Sequence, residues 1–239
     1  GMVSNTKDGG DNYRGDIALS VPLVSGKLAV RAVLGYSNMS GWIDRPNANV
    51  DNANDAEIDS IRIKVNARPV DELAIKCSYW QSRDDRGSFN GSSDGKNNVR
   101  FIPEPVSADF DVYNLTFDYS FPTFSLFSAS SYIDYTNIGE FDIASGSWVL
   151  GHDYNAKAFN QEVRLTSTTE GLWQWSVGGM YRDVEDTLFE PIPDLWASPI
   201  DLTDKSQSYA VFGEVTRSML DETLDLTVGL RYFEDDVSF

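Results

Sequence analysis

Between residues 60 and 68 the chain alternates with period two: Ile61, Ile63, Val65 and Ala67 fall on one side, Arg62, Lys64, Asn66 and Arg68 on the other. Such alternation marks a strand with one apolar and one wet face. The same pattern returns in Leu73, Ile75, Cys77 and Tyr79, and in Tyr113, Leu115, Phe117, Tyr119 and Phe121. It is clearest where Leu224, Leu226, Val228, Leu230 and Tyr232 alternate with Asp225, Thr227, Gly229 and Arg231. Ile17, Leu19 and Val21 open the series and Leu28, Val30, Ala32, Leu34 and Tyr36 answer them; later, Phe159, Val163 and Leu165 are followed by Trp173, Trp175, Val177 and Tyr181. Serines interrupt the stretch through Phe127, Ala129, Ile133 and Tyr135, so its register is not set by the pattern.

Short polar turns near residues 24, 70, 122, 170 and 220 alternate with long segments at 38–55, 83–108, 137–155 and 186–205 that are rich in turn-forming residues. The expected fold is all-β, an antiparallel up-and-down meander of about ten long strands. Strands of roughly ten residues exceed the five or six usual in soluble sheets and suit a tilted crossing of a bilayer. The apolar faces of the clean strands carry no charge while the opposite faces carry both signs, unlike the packed interior of a sandwich. The pattern therefore predicts a fragment of a transmembrane β-barrel over residues 12–239, preceded by a tail at 1–11. Tyr36, Trp42, Tyr79, Trp80, Tyr119, Phe121, Tyr135, Trp173, Trp175, Tyr181, Tyr232 and Phe233 cluster near strand ends, where interfacial girdles would place them. A soluble all-β binding module or a β-propeller-like repeat is the alternative, the turns recurring about every fifty residues. Each period supplies two strands where a blade needs four.

Composition narrows the chemistry. A net charge of -18 argues against nucleic acid as a partner. One cysteine excludes an internal disulfide framework, and one histidine, His152, removes most zinc and histidine-based catalytic sets, so neither an enzyme nor a cofactor is expected. A barrel-rim protease would need His152 beside paired carboxylates, and Asp153 is its only acidic neighbour in sequence. The acidic stretch at 51–55 lacks the glycine and terminal glutamate of a calcium loop. Gly1 and Met2 read as a tag remnant ahead of a start methionine, with no signal peptide after them. Any export signal is expected to have been removed or to lie upstream.

Several stretches carry a family resemblance: Gly10-Asp-Asn-Tyr-Arg-Gly-Asp16, Pro22-Leu-Val-Ser-Gly-Lys-Leu-Ala-Val-Arg31 and Gly41-Trp-Ile-Asp44, then Asn160-Gln-Glu-Val-Arg-Leu-Thr166, Trp175-Ser-Val-Gly-Gly-Met-Tyr181, Tyr209-Ala-Val-Phe-Gly-Glu214 and Leu224-Asp-Leu-Thr-Val-Gly-Leu-Arg-Tyr232. In order and spacing these resemble the barrel hairpins of TonB-dependent outer-membrane receptors. The resemblance implies an outer-membrane location, contact with outer-membrane lipid, and a parent that binds and imports a scarce nutrient of the ferric siderophore, cobalamin or glycan class, with TonB engaged through a missing N-terminal segment. Receptors of that kind are plugged barrels of about 22 strands. A chain of about ten strands without a recognisable plug or TonB box is expected to be a partial barrel, unable to transport alone, with an open or strained sheet rather than a clean ten-stranded closure.

With the plug absent, ligand contacts are expected from loop and inward residues. Trp42 and Arg45, Trp80 and Arg83, Trp148 and Trp196 fall at or in the long segments, where a ring beside a cation could grip a flat or anionic ligand. Arg62, Lys64, Arg68, Glu162, Arg164 and Arg231 are the expected inward polar residues, with Arg62, Lys64 and Arg68 expected to pair with Asp118 and Glu162. The opposing apolar set, from Ile61 to Leu230, is expected to face lipid.

Overall fold

The computed structural model describes residues 1–143, 145–168, 171–191, 198–221 and 223–239. They form one antiparallel sheet in which every strand pairs only with its neighbours in sequence: β1 (Met2–Asn5), β2 (Asp11–Val24), β3 (Leu28–Met39), β4 (Ala56–Ala67), β5 (Leu73–Arg86), β6 (Val106–Ser120), β7 (Phe124–Asp142), β8 (Val149–Ser167), β9 (Trp173–Glu190), β10 (Ile200–Met219) and β11 (Leu224–Ser238). No ladder joins β11 to β1 or β2, so the sheet is open.

The ten long strands expected are β2 to β11, and one difference is a short eleventh: Met2–Asn5, expected as part of a tail, folds back on the start of β2, with Met2 opposite Arg14 and Asn5 opposite Asp11. A second difference lies in the loops. Most of 137–155 and both ends of 186–205 are ladder, and β7 to β10 run 19, 19, 18 and 20 residues. Both faces of these extensions mix polar residues with apolar ones such as Ile138, Phe141, Leu188 and Leu202, so clean period-two hydrophobicity is lost there while the backbone ladder continues.

Register separates the two faces across the whole sheet. Ile17, Leu34 and Ile61 lie side by side, as do Val65, Cys77 and Leu115, then Leu165 and Val177, then Val215 and Val228. On the opposite face Arg31 lies beside Lys64, Arg62 beside Trp80, and Phe212 beside Arg231. The interrupted strand β7 turns Phe127, Ala129, Ile133 and Tyr135 toward this polar face and leaves Ser128 and Ser130 on the apolar one.

A row of rings crosses the apolar face. Tyr79, Tyr113, Tyr132 and Phe159 are consecutive cross-strand neighbours, followed by Tyr181 and Tyr209, with Tyr232 against Tyr209 at 6.3 Å between centroids. Tyr36 continues the row on β3, four residues closer to the long loops than the register partner of Tyr79. The row steps two more residues toward the turns between β8 and β9, and two again between β10 and β11. That is eight residues over eight strand steps; with about 3.4 Å per residue and about 4.8 Å between strands, the strands lean roughly 35° from the normal to the row. A second cluster, Tyr119, Phe121, Phe124 and Trp175, lies at the turn end, with centroid separations of 4.4, 4.4 and 6.5 Å. Trp80, Tyr135 and Phe233, expected in the girdles, are on the polar face instead.

Candidate functional site

The sheet has almost no interior; burial among the described residues is concentrated where 40–55, 87–105 and the residues around Asp142 and Gly146 meet above β3 to β8. Among the described residues the buried apolar side chains are Ile43, Ala53, Ala56, Val106 and Ala210, and all but Ala210 belong to this cluster. Two glycines permit the close approach. A Cβ on Gly41 would lie 2.0 Å from the Asn52 carbonyl oxygen, and one on Gly87 would lie 2.5 Å from that of Ala53. The Asn54 side-chain oxygen accepts from the backbone N–H groups of Trp42 and Ile43, both at 2.8 Å, and its amide donates to Asn90.

Arg45 is the centre of the cluster. Wholly buried, it donates through Nη2 to Glu104 Oε2 at 2.5 Å and Ser88 Oγ at 2.7 Å, and through Nη1 to the Ile102 carbonyl at 2.6 Å. Its Nε is without a partner among the described residues. The other oxygen of Glu104 accepts from the Asp142 backbone N–H at 2.8 Å, and the Asp142 carboxylate accepts from Phe101 and Gly146 at 2.8 and 2.7 Å. The guanidinium thus ties the 40–55 segment to 87–105 and, through Glu104, to the end of β7. Arg45 is expected from sequence to touch a ligand; its burial among Glu104, Ser88 and Ile102 removes it from the surface a ligand could reach. Glu104 lies 59 residues away, a pairing that local pattern does not reveal.

The other expected ligand residues separate. Trp42 lies partly exposed at the edge of the cluster and Trp148, also exposed, just before β8. Trp80 and Arg83 are both within β5, three residues apart and so on opposite faces. Trp80 stands on the polar face, whereas Arg83 on the other binds Asp111 at 2.5 Å and approaches Asp109 at 3.5 Å. Trp196 lies outside the described residues.

Arg62, Lys64, Glu162, Arg164 and Arg231 share the polar face, and Arg68 follows the end of β4. The expected pairing of Arg62, Lys64 and Arg68 with Asp118 and Glu162 does not occur. These cations sit on or just past β4 while Asp118 is on β6 and Glu162 on β8, roughly 10 and 19 Å across the sheet at the usual strand spacing. Glu162 instead lies 3.9 Å from Arg164. Arg62, Lys64, Arg68 and Lys76 make no ion pair with a described residue, leaving a cationic strip. Farther along, Arg164 covers the Phe127 ring at 5.2 Å, and Arg231 covers Phe233 at 5.6 Å while donating to Met180 Sδ.

From Trp80 a ladder of rings climbs this face toward the loops. Successive centroids from Trp80 to Phe110, Tyr135, Tyr154, His152, Phe141 and Phe89 are separated by 5.1, 6.3, 6.1, 6.5, 5.8 and 4.8 Å. His152 belongs to β8 rather than to a loop, and its Nδ1 is 2.9 Å from Glu190 Oε1. The ladder joins residues from three hairpins and Phe89 of the 87–105 loop, so only strand register reveals it. No group of three or more His, Cys, Asp or Glu residues among the described ones is arranged to hold a metal ion.

No family model and no curated protein sequence matches the chain. Solved structures do match it. The ferric yersiniabactin uptake receptor FyuA from Yersinia pestis superposes with a TM-score of 0.72 at 15% identity, covering 95% of this chain and 41% of that one. The fold is a partial barrel of the TonB-dependent receptor kind. The ferric preacinetobactin receptor BauA from Acinetobacter baumannii matches at TM-score 0.71 and 11% identity, over 95% of this chain and 40% of its own. For the ferripyoverdine receptor of the Pseudomonas aeruginosa outer membrane the TM-score is 0.71 and the identity 14%, over 95% and 36%. The chain therefore spans about two fifths of the length of these receptors.

Proposed function

We propose that this sheet is part of the barrel of an outer-membrane receptor that binds and imports a scarce nutrient of the ferric siderophore, cobalamin or glycan class, with TonB engaged through a segment outside the sheet. On this reading the apolar face, from Ile17 to Tyr232, meets lipid, and the face bearing Arg62, Lys64, Arg164 and Arg231 lines the passage. Trp80 and the rings above it form a wall along which a ligand with a flat or apolar surface could descend from the loops, and Trp42 and Trp148 stand at its entrance. An open sheet cannot enclose a passage, so transport requires further strands.

The observation that carries this reading is the slanted tyrosine row. A horizontal membrane boundary across these strands demands a lean of roughly 35°, which is the tilt of transmembrane barrels. Tyrosines with apolar rings and hydrogen-bonded hydroxyls suit that boundary: Tyr79 donates to Asp111 at 2.6 Å and Tyr209 to Glu234 at 2.5 Å. The single cysteine supplies the test, because Cys77 lies on the apolar face between Val65 and Leu115. A nitroxide on Cys77 in lipid vesicles should collide with dissolved oxygen far more than with a water-soluble nickel chelate. The same label on Lys64→Cys in a Cys77→Ser background should show the reverse. Free access of the chelate to Cys77 in vesicles would overturn the proposal.

A further inference from the structure

Below the tyrosine row the apolar face is free of charge on every strand but one. On β2 to β11, counting β4 from Ile61, its described residues down to the turns are aliphatic, aromatic, small or uncharged polar, except Arg217 near the end of β10. Arg217 lies between Trp173 on β9 and Leu226 on β11 and forms no ion pair with a described residue. Its guanidinium carbon is 4.9 Å from the Trp173 ring centroid. An open groove of about 610 Å³ beside it is lined by Leu172, Arg217, Ser218, Met219, Leu220 and Asp221. Leu220 and Asp221 hold left-handed backbone at φ 53° and 54°, which closes the turn tightly and leaves Leu220 71% exposed.

We propose that Arg217, Trp173 and this groove bind the phosphodiester of a glycerophospholipid in the leaflet on the turn side. The proposal rests on the lipid-facing reading above. An arginine on a lipid-facing strand is disfavoured at mid-depth and tolerated near the interface, and Arg217 is beside the turn, level with the aromatic cluster of Phe124 and Trp175. Among the described residues Asp221 is the one acid lining the groove and it does not pair with Arg217, which leaves the guanidinium open to an anion from the surrounding leaflet. At headgroup depth the abundant anion is phosphate, whose oxygens match the fork of guanidinium donors. Trp173 holds the guanidinium over its ring by cation–π attraction, a contact that does not use up the guanidinium's N–H donors. Leu172, Met219 and Leu220 offer apolar walls for the glycerol and the first acyl carbons.

Native mass spectrometry of the full chain in detergent micelles tests this, with titration by phosphatidylglycerol, by a diacylglycerol of the same acyl chains, and by glycerol 3-phosphate. We expect a retained phosphatidylglycerol adduct whose survival falls about tenfold in Arg217→Ala and recovers in part in Arg217→Lys, as for loss of a charged hydrogen bond. Diacylglycerol should bind no better than to the alanine variant, and glycerol 3-phosphate should not displace the lipid. Equal retention by wild type and Arg217→Ala overturns the proposal, as does full displacement by glycerol 3-phosphate, which would mark a site for soluble phosphate. The Cys77 label separates the two readings. If Cys77 proves water-accessible the lipid-facing surface itself is refuted; if it is lipid-exposed and retention ignores Arg217, only the phosphate site fails. Circular dichroism of both variants should show wild-type strand content.

Discussion

In the loop cluster Arg45 and Ile43 are 0% and 1% exposed, whereas in the sheet below Leu230 is 83% and Ile17 72% exposed. The cluster is held as a soluble protein is held, by burial and by a polar network in which Arg45 Nε is the one buried side-chain polar atom without a partner among the described residues. The sheet is held by its ladder and by side-chain contacts between neighbouring strands until a surrounding medium covers its apolar face. Hydrophobic residues therefore signal opposite things in the two regions: Ile43 marks an interior, and Leu230 marks an exterior.

The strongest way to break the comparison is to remove the guanidinium from the cluster. Arg45→Met should leave buried Glu104 without its closest charged partner, with only Arg100 at 4.0 Å and the Asp142 N–H remaining, and destabilise the cluster by about 3 kcal/mol, because breaking a buried pair leaves a poorly compensated charge. Hydrogen exchange should accelerate across residues 87–105 and leave the paired amides of β9 and β10 unchanged. Adding Glu104→Leu should restore much of the loss, and exchange spreading into β9 would show that the two regions are not separate.

Next in size is a charge on the exterior. Val228→Arg should destabilise the sheet in vesicles by about 2–4 kcal/mol, while Thr227→Arg, one residue away on the other face, should change little. Urea unfolding from vesicles reads the difference; equal losses would mean that the faces are not distinguished by their medium. A smaller effect is expected at Gly178, where a Cβ would lie 2.7 Å from both the tip of the Phe212 ring and the Val163 carbonyl oxygen. Gly178→Ala should lower stability by roughly 1–3 kcal/mol in the same assay, because the backbone oxygen cannot move aside as the ring can.

The smallest effect sharpens the picture at the outer surface. Hydrogen bonds from the Asn97 side chain and from the backbone of Asn97 and Lys96 hold the Asp94 carboxyl down to about 2. Because the folded value is depressed, any stability it contributes is present above the ordinary carboxylate range and disappears as pH falls through about 2. An NMR titration of Asn97→Ala should find the Asp94 midpoint raised toward that range with the protein still folded. An unmoved midpoint would contradict the assignment of these bonds.

What could be read from the sequence followed the medium on each side of a strand. In β4 and β11 one face is apolar and the other wet, so Ile61 to Ala67 and Leu224 to Tyr232 declare both strand and face. In β7 Ser128 and Ser130 occupy the apolar face while Phe127 and Ile133 turn to the other, and the signal fails. Above the tyrosine row both faces mix polar and apolar residues, which is why 137–155 looks like a loop although most of it is paired. The candidate site was less legible still. The partners of Arg45 lie 43 to 59 residues on, in the 87–105 loop, and the rings above Trp80 come from separate hairpins. Chain spacing carries no trace of either.

Because each strand touches only its neighbours in sequence, order along the chain and order in space are the same list. Contacts are local in the sense that governs folding speed, with each hairpin closing a short loop before the next is added. Growth from either rim can then proceed one hairpin at a time, and no strand has to wait for a distant one to arrive. The Arg45 cluster is the exception, since Ile102, Glu104 and Asp142 must all be in place before its guanidinium is enclosed. That makes the cluster a late event, one that can form only after three hairpins have been laid down in order.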